Sequence, residues 1–182
     1  MYPFIRMIWH MAKSRRQARL PLLGTHHSQH ICMPWDIDFW MELNNGRTLT
    51  LYDLGRLPLA QRIGLVDLLR EHKWGLTVAG SMVRYRRRIR PFARFQMRSR
   101  CIGWDQRFVY VDQSMWRGET CCGQAIFRLA VTDANGIVPT AKVAAAYDPE
   151  VQTPDLPGWV QTWLAAEDDR PWPPEGPGPT AT

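Results

Sequence analysis

No run of about 18 apolar residues occurs in this 182-residue chain, so no segment is long enough to cross a bilayer as a helix. Cysteine is scarce as well. The four thiols, Cys32, Cys101 and the adjacent Cys121 and Cys122, have no metal-ligand spacing. Neighbours in a strand point to opposite faces, so the adjacent pair is not read as a disulfide. A reduced, cytoplasmic protein without a metal or redox cofactor is the expectation. No small-x-small cleavage site follows the apolar start, and Arg6 interrupts it, which argues against a secretory signal. Ser81 and Thr77 have no His and acid close by in sequence, which removes the usual hydrolase triad. The histidines His26, His27 and His30 lack metal-binding spacing and are read as surface strand residues.

The net charge of +6 and a pI near 9.5 raise nucleic-acid binding. However, the chain has no Lys/Arg-rich tail and no base-reading motif, and its 17 acids are interspersed with the cations. An anionic small ligand needs only two or three well-placed cations, and that is the preferred reading.

Hydrophobic residues make up 45% of the chain, enough for one ordinary domain with its own core. Three parts are expected: an N-terminal helical and basic segment over 1–24, a folded domain over 25–147, and a proline-rich tail over 148–182. The first segment is apolar on one side and followed by Lys13, Arg15, Arg16 and Arg19. It suits docking on its own domain or on a dimer partner, with weak membrane-surface contact as the lesser reading. From Arg47 to His72, Leu49, Tyr52, Leu54, Leu57, Ile63, Val66 and Leu69 recur at helical spacing. A long helix near Asn45 to Arg62, bent at Pro58, followed by a turn of helix around Val66 to Arg70, is predicted.

The period then changes. Trp74 to Ile89, Phe92 to Trp104, Gln106 to Arg117 and Thr120 to Thr132 read as strands separated by turn signals. One long helix followed by adjacent strands implies an α+β fold, a curved antiparallel meander around a central helix. From Tyr147 onward the chain holds eight of its 14 prolines. Two helical turns around Pro157 to Ala166, laying Trp159 and Trp163 on a neighbouring surface, are expected there, with disorder from Asp168.

The chemistry is expected in Asp36-Ile37-Asp38-Phe39-Trp40-Met41-Glu42-Leu43-Asn44-Asn45-Gly46-Arg47, where a strand-like approach, Ile31 to Trp35, delivers two acids beside a helix start. Unpaired amides of a first helical turn, backed by the helix dipole, stabilise an oxygen that is gaining negative charge. An acid nearby can attack or activate water.

The spacing Asp-x-Asp-x-x-x-x-x-Asn-Asn-Gly-Arg, with Leu-Tyr-Asp-Leu-Gly-Arg after it, resembles the 4-hydroxybenzoyl-CoA-type acyl-CoA thioesterases, in their thioesterase-like branch, over about residues 25 to 140. The resemblance implies the hot-dog fold with five or six strands, hydrolysis of an acyl-CoA thioester, and assembly as a homodimer or a dimer of dimers. It places Met41-Glu42 where the family usually has Gly-His, and Thr48 where it usually has an aromatic. Those departures leave open the alternative of a hot-dog protein that binds acyl groups or a partner protein without turnover.

Asp38 matches the second acid of the motif and is the candidate catalytic carboxylate, with Asp36 assigned a structural role. Glu42 stands at the helix entrance, either as a capping acid or sharing general-base duty with Asp38. Asn44, Asn45 and Gly46 are expected to form the turn and cap, with backbone amides of Leu43 to Gly46 as the oxyanion site. Alternation along a strand would put Arg84, Arg86 and Arg88 on one face, by default a solvated one; the resemblance, in which the coenzyme A phosphates bind near strand ends, implies Arg86, Arg88 and Arg90 as the candidates to meet them.

Overall fold

The computed structural model describes residues 2–174. Its largest helix, α2 in chain order (Asn45–Arg62), follows α1 (Phe4–Arg15), β1 (His26–Ile31) and a 3-10 turn at Pro34–Asp36. A short α3 (Leu65–Glu71) precedes strands β2 (Gly75–Tyr85), β3 (Arg94–Trp104), β4 (Val109–Arg117) and β5 (Thr120–Asp133), a two-residue β6 (Gly136–Ile137), and helices α4 (Thr140–Tyr147) and α5 (Gly158–Asp168). The strands form one antiparallel sheet in the order β1-β3-β4-β5-β2, with β6 on β5. The sheet curls around α2, which is the hot-dog arrangement that the motif spacing implies.

The cap and the apolar period both act where the sequence places them. Asn44 Oδ1 accepts the Arg47 amide at 2.9 Å, and the helix it starts buries Leu51, Tyr52, Leu54 and Leu59 against Phe95, Met97, Val111 and Phe127 of the sheet. Gly55 marks the closest crossing. A Cβ there would lie 2.5 Å from Met97 Sδ and 2.6 Å from Ser99 Oγ, so only hydrogen fits between helix and sheet. The next residue, Arg56, is buried. It pairs with Asp53, donates to Gln113 Oε1 at 3.2 Å and lies 4.1 Å over the Phe127 ring. Gln113 in turn donates to Tyr52 O and Ser99 Oγ, so the polar groups at the crossing satisfy each other.

Several expectations are corrected. The approach to the acids is not a strand: Pro34 cannot donate to a ladder, β1 stops at Ile31, and the 3-10 turn follows. Asp36 and Asp38, which two positions apart on a strand would share one face, therefore do not do so as strand residues. β2 likewise ends at Tyr85, so Arg86 to Arg88 lie in a bend, with the Arg86 and Arg87 amides both donating to Cys122 O. His26 and His30 are buried, not on the surface, because β1 turns His26, Ser28 and His30 inward beneath α1. His27 alone of the three is exposed.

α1 docks on α2 and β1 through Met7, His10 and Ser14. His10 stacks on His30 with ring centroids 4.4 Å apart. The α4 helix was not expected. Its alanine-rich Thr140–Tyr147 closes the far end of the core through Val143, and Tyr147 donates to Ile63 O at 2.7 Å. α5 forms where two turns were predicted, but Val160, with Trp163 and Leu164, docks beside Tyr110 while Trp159 stays half exposed. The expected disorder from Asp168 falls, from residue 175, outside the described residues.

Candidate functional site

The acidic stretch folds into a tight loop. Ile37 and Leu43 form an isolated antiparallel bridge, Asp38 N donates to Glu42 O at 2.9 Å, and Met41 takes φ +57° to close the turn. The loop tip, Phe39, Trp40 and Met41, is exposed. Its two acids have different fates. Asp36 is fully buried, with Oδ2 2.6 Å from Arg6 Nη1 and Oδ1 2.7 Å from Arg47 Nε, and it also accepts the Met33 amide. This locks α1, the loop and α2 together, which is the structural role expected of Asp36.

Asp38 forms no ion pair among the described residues. Its Oδ1 accepts the Trp40 amide at 2.9 Å, and its side chain faces a groove of about 270 Å³. Glu42 lines the same groove, 2.7 Å from Arg88 Nε. The first turn of α2 contributes Asn45 and Thr48, the bend after β2 contributes Tyr85 and Arg86 to Arg88, and Met115, Cys122 and Gly123 form the base. Of the residues expected at the site, Asp38, Glu42, Asn45, Arg86 and Arg88 come together here. Asn44 lines a separate recess with Asp36 and Arg47, Gly46 sits exposed on the first turn, and Arg90 is exposed outside the groove lining.

The amides are more committed than expected. Leu43 N donates to Ile89 O, Asn44 N to Asp36 O, Gly46 N to Asn45 Oδ1, and Arg47 N to Asn44 Oδ1. Among the described residues the Asn45 amide is the first-turn donor left without a partner. The Asn45 carbonyl accepts from the Tyr85 hydroxyl at 3.1 Å, tying the helix start to the end of β2.

Arg87, Tyr85 and the Cys122-Gly123 pair are groove residues that sequence reasoning missed. Arg87 follows the end of β2, where strand alternation no longer applies, and lines the groove with Arg86 and Arg88. The glycine within a strand at Gly123 was the available signal, since such glycines mark close approach.

An apolar cavity of about 60 Å³ lies at the other end of α2, between Leu59, Ile63, Val111, Leu129, Val143 and Tyr147. It shares no lining residue with the groove. Among the described residues no group of three or more His, Cys, Asp or Glu side chains is placed to hold a metal ion.

The sequence model of the thioesterase-like superfamily matches residues 32–164, which includes the acid loop, the whole sheet after β1 and most of α5. A Xenopus laevis protein named THEM6 is 29% identical over 166 residues, covering 91% of this chain and 80% of its own length. Among solved structures, YbaW from Escherichia coli superposes with a TM-score of 0.62 at 13% identity, over 69% of this chain and 98% of its own. A DHNA-CoA thioesterase from Staphylococcus aureus gives 0.59 at 11% identity, over 79% and 91%. At those identities the two structures establish likeness of fold.

Proposed function

The chain belongs to the thioesterase-like superfamily, and from that premise we propose that it hydrolyses an acyl-coenzyme A thioester at the groove beside α2, with Asp38 as the reacting carboxylate. Asp38 takes a proton from water, whose oxygen attacks the thioester carbonyl. The Asn45 amide at the positive end of the helix faces the carbonyl oxygen as it becomes anionic. Collapse of the intermediate breaks the C–S bond, and the departing thiolate receives the proton from Asp38, leaving a free acid and the coenzyme A thiol. Arg86, Arg87 and Arg88 meet the coenzyme A phosphates at the groove edge. No metal enters this scheme.

The observation that carries the reading is the contrast between the two acids: Asp36 is saturated by two arginines, whereas Asp38 keeps its carboxylate free of ion pairs beside an open groove and a helix start. The free state of all four thiols fits a cytoplasmic setting. A second copy of the chain is proposed to cover the exposed Phe39-Trp40-Met41 tip and the unpaired edge of β2, giving a homodimer.

A second reading has its own support. With the Gly46 and Arg47 amides already taken by the side chains of Asn45 and Asn44, and Glu42 held by Arg88, the site also suits a scaffold that binds acyl groups without turnover. Thiol release from short, long and aromatic acyl-coenzyme A esters separates the two. The enzyme releases thiol from at least one ester, and Asp38→Asn lowers that rate by on the order of 100-fold or more at unchanged thermal midpoint. A scaffold binds saturably and releases none. Unchanged turnover in a folded Asp38→Asn variant rules out the mechanism.

A further inference from the structure

The outward face of α1 has no role in the groove. Phe4, Ile5, Ile8 and Trp9 lie on one side of the helix and are exposed by 66, 86, 68 and 55%, while Met7, His10 and Ser14 on the opposite side are buried against the domain. Four large apolar side chains on the free face of one helix form a contiguous patch of the kind that marks a contact surface. The patch continues past the helix: Trp9 and the exposed Trp35 flank a cleft of about 490 Å³ between α1 and the β1 edge, with Arg94 at its rim.

The charge carried by α1 and the connector after it has one sign, with acids of α2 and α3 meeting only its ends, Asp53 at Tyr2 and Asp67 at Arg19. Lys13 and Arg15 end the helix, Arg16 caps it, Arg19 follows, and no Asp or Glu occurs before Asp36. Lys13 Nζ lies 5.1 Å from the Trp9 ring, so cation and aromatic stand side by side at the patch margin.

We propose that α1 seats this protein on an anionic phospholipid surface, with Phe4, Ile5, Ile8 and Trp9 entering the acyl boundary and Lys13, Arg15 and Arg16 meeting lipid phosphates. Twelve helical residues reach roughly 18 Å, short of a hydrocarbon core of roughly 30 Å, and the inner face is committed to the domain, so the helix lies in the interface and does not cross it. Tryptophan beside cations is the composition that suits the headgroup level. A second copy is the weaker occupant. A two-fold contact through this stripe would bring two such helices together with no acid on either to pair the cations, whereas anionic headgroups neutralise them. The sheet order also leaves the stripe free in a dimer built on β2, because β2 and the β1 strand beneath α1 are opposite edges.

The test is co-sedimentation of the full chain with phosphatidylcholine vesicles, with and without phosphatidylglycerol. The protein is expected to sediment with the phosphatidylglycerol vesicles at low salt, to be released at high salt, and to show a blue-shifted tryptophan emission when bound. Ile5→Ser with Ile8→Ser lowers the partition coefficient by about tenfold or more. Arg15→Glu with Arg16→Glu removes the preference for phosphatidylglycerol, and both pairs keep the thermal midpoint and any thiol release of the parent. A parent chain that stays in solution with phosphatidylglycerol vesicles at low salt overturns the inference, as does equal binding by the Ile5/Ile8 pair. So does a dimer that the Ile5/Ile8 pair dissolves without any vesicle binding. None of these outcomes bears on the reaction at Asp38, so the two proposals stand or fall separately.

Discussion

Glu42 lies 2.7 Å from the Arg88 guanidinium, inside the groove that also holds Asp38. The pair occupies the one cation of the Arg86–Arg88 bend that has an acid partner among the described residues. Arg88 is itself largely exposed, so solvent weakens the attraction and the contact adds little to stability. Its weight falls on the ligand: a phosphate entering the groove competes with Glu42 for Arg88. Glu42→Gln is therefore expected to leave kcat within about threefold and to lower KM, while Arg88→Ala raises KM. Steady-state kinetics on any accepted thioester decides it. A large fall in kcat for Glu42→Gln alone would instead make Glu42 the base.

Asp36→Asn tests the structural acid. Removing its charge leaves Arg6 and Arg47, both mostly buried, facing a neutral amide at the junction of α1, the acid loop and α2. A loss of about 3–5 kcal/mol in denaturant unfolding is expected, the cost of stranding partners in a buried ion network. Asp38→Asn keeps an oxygen for the Trp40 amide and is expected to cost under about 1 kcal/mol. Equal losses in the two variants would erase the distinction between the acids.

These two acids also show how far the sequence could be read. The bounds of α2 were legible because the Asn44 cap and the leucine period act locally, and the strands because their alternation is local too. The assembly of the groove was not. Asp38 meets Arg86–Arg88 only because Leu43 N reaches Ile89 O and the bend amides reach Cys122 O, contacts between distant parts of the chain that no window of residues reports. The inward turn of β1 was hidden for another reason: the side chains it buries are His26, Ser28 and His30, so the alternation is present but not apolar. Arg56 offered a signal that went unused, a charge at the buried phase of the α2 stripe, four residues after Tyr52.

Two glycines of α2 should respond oppositely to alanine. At Gly55 the new Cβ would press on Met97 Sδ and on the Ser99 hydroxyl that Gln113 holds, which outweighs the gain in helix propensity. A net loss of about 1–3 kcal/mol is expected. At Gly46 the nearest atom to a new Cβ is Asn44 Oδ1 at 3.4 Å, so the same substitution is expected to be neutral or slightly stabilising. Thermal melts of both variants check the pair, and a neutral Gly55→Ala would mean that helix and sheet can separate there.

The buried histidines give the fold a direction of pH dependence. Burial pushes His10 and His26 down to about 4, with nearby Arg6 and Lys13 adding to the effect at His10 and Arg62 at His26, and burial drives His30 well below its ordinary value. The Arg62 guanidinium can only donate, so His26 Nδ1 accepts at 3.1 Å and the ring is held neutral with its proton on Nε2. His30 accepts no compensating carboxylate either: Ser28 Oγ is its side-chain partner at 2.7 Å, and His10 covers its face. An unfolded chain would protonate these rings near 6.5, so it binds more protons than the folded one at any pH between 6.5 and about 4. Stability is thus complete above 6.5 and falls as the pH drops towards 4. His10 bridges α1 and β1, so the loss should appear first as release of α1, read as earlier hydrogen exchange in Phe4–Arg15 than in the sheet. His10→Leu keeps the contact without a titrating ring and is expected to flatten the decline in thermal midpoint between pH 6.5 and 4.5, roughly the span set by these shifts. A decline as steep as the parent's would remove His10 from the account and leave the acid sensitivity to His26 and His30.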